Sequence, residues 1–131
     1  MSAETEIRAL IASWVDAVQS RDLEAVVARH AQDVVMFDVP PPPDGIRGID
    51  EYRDSWGPFF DWQRQTDGVF ELVELNVVAG DEVAFAYGLL RCGSAADVAA
   101  EPDHRLRVTV GLRLEEGQWL VAHEHHSFPM V

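Results

Sequence analysis

The run His123-Glu124-His125-His126-Ser127 puts three histidines and a carboxylate into five positions near the C-terminal end of the sequence. Imidazole titrates near neutral pH, so such a cluster can move protons, bind an anion or hold a metal. His123 and His125, two apart, share one side of a strand and could make a zinc pair. No second His-x-His supplies further ligands, Glu124 points to the other side, and Cys92 falls on a different strand. No metal and no cofactor is therefore expected. The second candidate is Asp38, which ends a predicted strand directly before a proline loop. A carboxylate in an apolar pocket can have a raised pKa and serve as a proton shuttle, whereas one at a loop can simply cap backbone amides.

These residues must be placed by the elements around them. Ile7, Leu10, Ile11, Trp14 and Val18 follow one face of a helix, with Ser2 as its cap and Glu4 and Glu6 at the positive end of its dipole. A short second helix starts after Asp22. Residues 33–39 read as a strand that stops at Pro40-Pro41-Pro42-Pro43, a stiff loop without amide donors, followed by a turn at Asp44-Gly45. A third helix runs from Ile49 or Asp50 towards Trp56, where Gly57-Pro58 should end or kink it. Strands follow over about 69–78 and 82–92, then a softer loop over 93–103. Leu106, Val108, Val110, Leu112 and Leu114 alternate with polar residues as in a half-buried antiparallel strand. Glu116-Gly117 turns the chain into a last strand from Gln118 to about Phe128.

A two-residue turn at 116–117 pairs Leu114 with Trp119 and Leu112 with Val121. Counting on, His123 and His125 share the apolar face with Trp119 and Val121, while Glu124 and His126 face outward with Arg107 and Thr109. One β-bulge within 122–126 would reverse this beyond it. Tyr87 lies on the face Val83, Phe85, Tyr87, Leu89, Arg91, where its hydroxyl could meet a ligand. Trp56, Phe59 and Phe60 read as core and pocket wall. His30 and His104 read as surface or loop histidines without a role, and the arginines beside Val108 as salt-bridge partners.

Composition bounds the function. The chain has 131 residues and a net charge of −13, and its ten basic residues are all arginine. So acidic a chain repels phosphate backbones and anionic lipid, so neither nucleic acid nor membrane is an expected partner. The absence of lysine removes Schiff-base chemistry and a P-loop lysine. A lone cysteine makes no intrachain disulfide, and Cys92 reads as a small buried hydrophobe. A single domain over 1–131 is expected. The acidic, helical N-terminus without an apolar leader suggests a cytoplasmic location.

Three stretches resemble the nuclear transport factor 2-like superfamily, in its SnoaL-like, ketosteroid isomerase-related and kinase II association-domain branches. They are SWVDAVQSRDLEAVVARHAQDVVMFD, IRGIDEY and RVTVGLRLEEGQWLVAHEHHSFP. The last holds the pattern Trp119, His123, His125, Ser127, Pro129. The resemblance implies an α+β fold: a cone-shaped curved antiparallel sheet with two to three N-terminal helices packed over its concave face. It also implies a hydrophobic pocket at the wide end and a homodimer through the convex face. Asp38 matches the catalytic base of ketosteroid isomerase, whose aspartate works with an oxyanion hole. The isomerase's tyrosine and aspartate donors match Trp14 and Val110, so the enolate-stabilising pair is not retained. His126 matches an arginine that reaches the pocket in the kinase-association branch. The expected function is that of a pocket protein for a small apolar or aromatic molecule, a cofactor-free lyase, cyclase or isomerase. Asp38, His125 and His123 are its expected catalytic groups; Trp14, Tyr87, Trp56, Phe60, Val110, Trp119 and His126 its ligand contacts. The alternative is a non-catalytic dimerisation or ligand-sensing module.

Overall fold

The computed structural model describes residues 2–130. Ser2 accepts a hydrogen bond from the Thr5 amide and opens α1 (Ala3–Ser20). The Asp22 side chain does the same for the short α2 (Leu23–Val27). β1 (His30–Phe37) and the two-residue β2 (Ile46–Arg47) flank the proline loop. Then come α3 (Ile49–Thr66), β3 (Val69–Ala79) and β4 (Val83–Gly93). A short α4 (Ala95–Ala100) precedes the hairpin of β5 (Leu106–Glu115) and β6 (Gln118–Ser127).

The strands form one six-stranded sheet in the order β2-β1-β6-β5-β4-β3. Every pairing is antiparallel except that of β1 with β6, which is parallel. α1 turns Ile7, Ile11, Trp14 and Val18 onto the inner face of this curved sheet, against Ala86, Val108, Val110 and Leu112. This is the α+β arrangement of helices over a curved, mostly antiparallel sheet that the sequence implies. Among the described residues, no helix is long and apolar enough to cross a membrane.

Two elements differ from expectation for local reasons. α3 does not stop at Gly57-Pro58 but continues to Thr66. Pro58 removes the amide that would bond the Asp54 carbonyl, but Asp54, Gly57 and Pro58 are all exposed, so water can reach the gap. Tyr52, Trp56, Phe60 and Gln63 meanwhile extend one buried face across it, and this burial outweighs a proline cost of about 3 kcal/mol. The loop after β4 holds α4, because Ser94 caps the Asp97 amide and the following residues are alanine-rich.

The third difference decides the site. The hairpin register holds through Glu115–Gln118, Leu114–Trp119 and Leu112–Val121, but the next pair is Gly111–His123. Ala122 is the extra residue of a β-bulge, and every side chain beyond it changes face. Glu124 now pairs with Val110 and His126 with Val108, on the inner face. His123 and His125, expected inside, lie on the outer face. The parallel neighbour helps fix the bulge: Val121 N–H donates to the Arg29 carbonyl at 2.8 Å, and His123 Nδ1 lies 2.7 Å from the Val35 carbonyl.

Candidate active site

Glu124, carried inward by the bulge, is the centre of a buried hydrogen-bond array. Its Oε2 accepts from the Tyr52 hydroxyl at 2.7 Å and lies 2.5 Å from His30 Nε2. Its Oε1 lies 2.9 Å from His126 Nε2. Behind these, Trp14 Nε1 donates to the Tyr52 hydroxyl at 3.1 Å, and His30 Nδ1 sits 3.1 Å from the Ala28 carbonyl. In front, His126 Nδ1 faces Asp38 Oδ1 at 3.5 Å, and that same oxygen accepts the Val39 amide at 2.7 Å. The chain of contacts therefore runs His30, Glu124, His126, Asp38, from deep interior to partly open carboxylate.

The charges follow from competing effects. Burial drives the Glu124 carboxyl upward, but hydrogen bonds and charge from His126 and His30 overcome it and hold the group at about 2. Burial pulls His126 down, but the hydrogen bonds to Asp38 and Glu124 outweigh it and raise the imidazole to about 9. At neutral pH His126 is a buried cation between two carboxylates. Desolvation and then the Glu124 charge push the Tyr52 hydroxyl well above its ordinary value, so it remains a donor. Burial, with the charge of Asp38, pushes the Cys92 thiol up to about 12, so it stays neutral.

Asp38 and His126 open onto a cavity of about 840 Å³, walled mainly by Trp56, Phe59, Trp62, Phe70, Leu106 and Phe128. That volume suits a small organic ligand, and an apolar wall with a few convergent polar groups is the usual composition of such a site. α3 supplies one wall, the inner ends of β4, β5 and β6 another, and α4 with the 101–104 loop part of the mouth.

Of the residues expected to act, Asp38, Trp56 and His126 line this cavity. His125 and His123 do not: they flank the Phe37 ring on the outer face, with ring centroids 5.7 and 5.1 Å from it. Tyr87 also points outward, exposed and stacked along Phe85, because its strand face is the one opposite Ala86 and Gly88. Trp14 stands one layer back, edge-on to the His126 ring at 5.9 Å. Phe60 supports Trp56 by stacking at 5.9 Å, and Val110 and Trp119 are buried in the core. Among the described residues no group of three or more His, Cys, Asp or Glu side chains could hold a metal ion.

Three members of the array escape a reading of pattern. Unbroken alternation points Glu124 outward. His30 reads in the sequence as a surface or loop histidine, yet its side chain is fully buried, since β1 starts there and not at residue 33. Tyr52 had a visible signal, because it leads the aromatic face Tyr52, Trp56, Phe60 of α3.

A family model described as the SnoaL-like domain matches residues 7–131. A nuclear transport factor 2-like protein of unknown function from Pseudomonas putida KT2440 is 37% identical, over 100% of this chain and 91% of that one, with a TM-score of 0.84. A protein of unknown function from Nostoc punctiforme, described as having a cystatin-like fold, aligns over 98% of this chain and 94% of its own at 14% identity and a TM-score of 0.74. A candidate ketosteroid isomerase from Parabacteroides distasonis aligns over 94% of this chain and 85% of its own at 21% identity and a TM-score of 0.67. A search of curated proteins returns no match.

Proposed function

The chain belongs to the SnoaL-like family of the nuclear transport factor 2-like superfamily, and we propose that it is a cofactor-free acid–base enzyme, a lyase, cyclase or isomerase. The observation that carries this is the Asp38–His126 pair, 3.5 Å apart at the wall of an apolar cavity and braced from behind by Glu124. Asp38 Oδ1 is occupied by His126 and the Val39 amide, which leaves Oδ2 to take a proton from the ligand. In an isomerisation Asp38 removes a proton from a carbon activated by a neighbouring carbonyl and returns it at another carbon. In an elimination the same C–H bond breaks, the C–O bond breaks, and the leaving hydroxyl departs as water with the proton that Asp38 has taken up. Both routes use Asp38 as base and, once protonated, as acid, with the His126 imidazole beside its carboxylate. Glu124 positions His126 without reaching the cavity, as do His30 and Tyr52 through Glu124. The name given to the Parabacteroides distasonis structure lends the isomerase branch support by likeness of fold alone.

The test needs no knowledge of the natural substrate. 5-Nitrobenzisoxazole loses a C–H proton to a base while its N–O bond breaks, giving a coloured cyanophenolate. The protein should accelerate this reaction, and Asp38→Asn should remove the acceleration. A rate unchanged by the substitution would eliminate Asp38 as the base.

The outer face supports a second proposal, that two copies pair through it. Val83, Phe85 and Tyr87 form an exposed apolar stripe on β4, remote from the cavity. Phe85→Glu should convert a dimer to a monomer in light scattering while ligand binding persists. A wild-type chain that is monomeric at about 100 μM, where a stable apolar interface would be saturated, would contradict this pairing.

A further inference from the structure

The cavity's polar groups point to the charge of its ligand. Asp38, Asp97 and Glu101 all line it, and no arginine does. Asp97 lies in α4 and Glu101 directly follows it, and both line the cavity. The one cavity-lining residue held cationic by its surroundings, His126, has both ring nitrogens taken by Asp38 and Glu124. The Ser55 hydroxyl donates to the Tyr52 carbonyl, and His104 lies flat on Phe128, 5.0 Å between centroids. Arg105, the arginine next to His104 in the chain, turns its guanidinium onto the Pro102 and His104 carbonyls. The unpaired charges of the lining are therefore all negative, while its open donors, such as the partnerless indole N–H of Trp56, are neutral. A carboxylate or phosphate entering it would lose hydration and find no unpaired positive charge. A ligand that brings its own donors and a positive charge would meet carboxylates at the mouth and indole and phenyl faces inside.

Resting on the reading of this cavity as the ligand site, we infer that its ligand is a flat apolar or aromatic amine, cationic at neutral pH, with the ammonium at Asp97 and Glu101 and the ring against Trp56, Phe59 and Trp62. Asp97 and Glu101 are specificity groups, apart from the proton transfer at Asp38. Ligands of the same shape and opposite sign, such as aryl carboxylates and acyl phosphates, are excluded.

Three naphthalene probes of one shape separate these possibilities by calorimetry with the intact chain: 2-naphthylmethylamine, 2-naphthylmethanol and 2-naphthoate. The amine should bind about tenfold tighter than the carboxylate, a size set by partly screened ion pairs and cation–π contact. In Asp97→Asn/Glu101→Gln, two exposed changes that leave the core intact, this ratio should fall to about threefold or less, with the alcohol's affinity unchanged. Naphthoate binding as tightly as the amine, or a ratio indifferent to the double variant, would overturn the assignment of charge and leave the pocket standing. Failure of all three probes to bind would overturn the pocket itself, and the inference with it.

Discussion

Asp38→Asn is expected to slow proton abstraction from 5-nitrobenzisoxazole by about 100-fold or more, the usual span for removing a positioned base. The substitution keeps the size of the side chain and an oxygen for the Val39 amide, so the fold and cavity should persist. What it removes is the free lone pair of Oδ2 and the negative charge facing His126. His125→Gln is the informative control. His125 sits on the outer sheet face against Phe37, so its loss should leave the rate unchanged. Equal losses in both variants would mean that the observed rate reflects general destabilisation and not the cavity. The rate against 5-nitrobenzisoxazole, measured by absorbance with the fold checked by circular dichroism, distinguishes these outcomes.

Glu124→Gln is the substitution expected to cost most in stability. The side chain is fully buried and its two oxygens meet His30, Tyr52 and His126. Glutamine retains the shape but not the charge, and its amide nitrogen confronts a donor at one of the two positions. Taking one of its two counter-charges from the buried His126 imidazolium, and leaving a buried donor facing a donor, costs about 3–5 kcal/mol. For a domain of this length that lowers the melting temperature by about 10–15 °C. The pH dependence has a definite sign. Glu124 titrates lower in the folded chain, at about 2 against an ordinary 4.5, so its contribution is complete above 4.5 and is lost as pH falls through about 2. His126 titrates higher, at about 9 against 6.5, so its contribution is complete below 6.5 and is lost as pH rises through about 9. The deficit of the variant should therefore be largest between pH 4.5 and 6.5 and shrink towards pH 9. A melting temperature within about 2 °C of wild type throughout would show that the array contributes little to the fold.

The fold was largely legible because its signals are local and periodic. The apolar spacing of α1, the alternation of Leu106 to Leu114 and the Glu116-Gly117 turn each specify an element without help from the rest of the chain. The site was less so, because it depends on one residue. Ala122 has no side-chain chemistry that announces a bulge, and its insertion is stabilised by partners far away in sequence, the Arg29 and Val35 carbonyls of the parallel neighbour. Strict alternation therefore put the wrong pair of histidines in the pocket. It also hid Glu124, whose burial is tolerable only with three partners that come from β1, α3 and β6. Asp38, a carboxylate at a strand end before the proline loop, does line the cavity, and it also accepts the Val39 amide as a loop cap would. Pro58 misled in the opposite direction: its local cost is real, but the burial of Trp56, Phe60 and Gln63 on either side of it is larger.

The candidate site depends on the bulge delivering His126, and not His125, to a position between two carboxylates. The titration of His126, followed through its ring resonances by NMR and assigned with His126→Gln, examines this directly. The expected curve has its midpoint at about 9, and moves down when Asp38 is replaced by asparagine. A His126 that titrates at about 6.5, as a solvated imidazole does, and ignores that substitution would contradict this placement between Asp38 and Glu124.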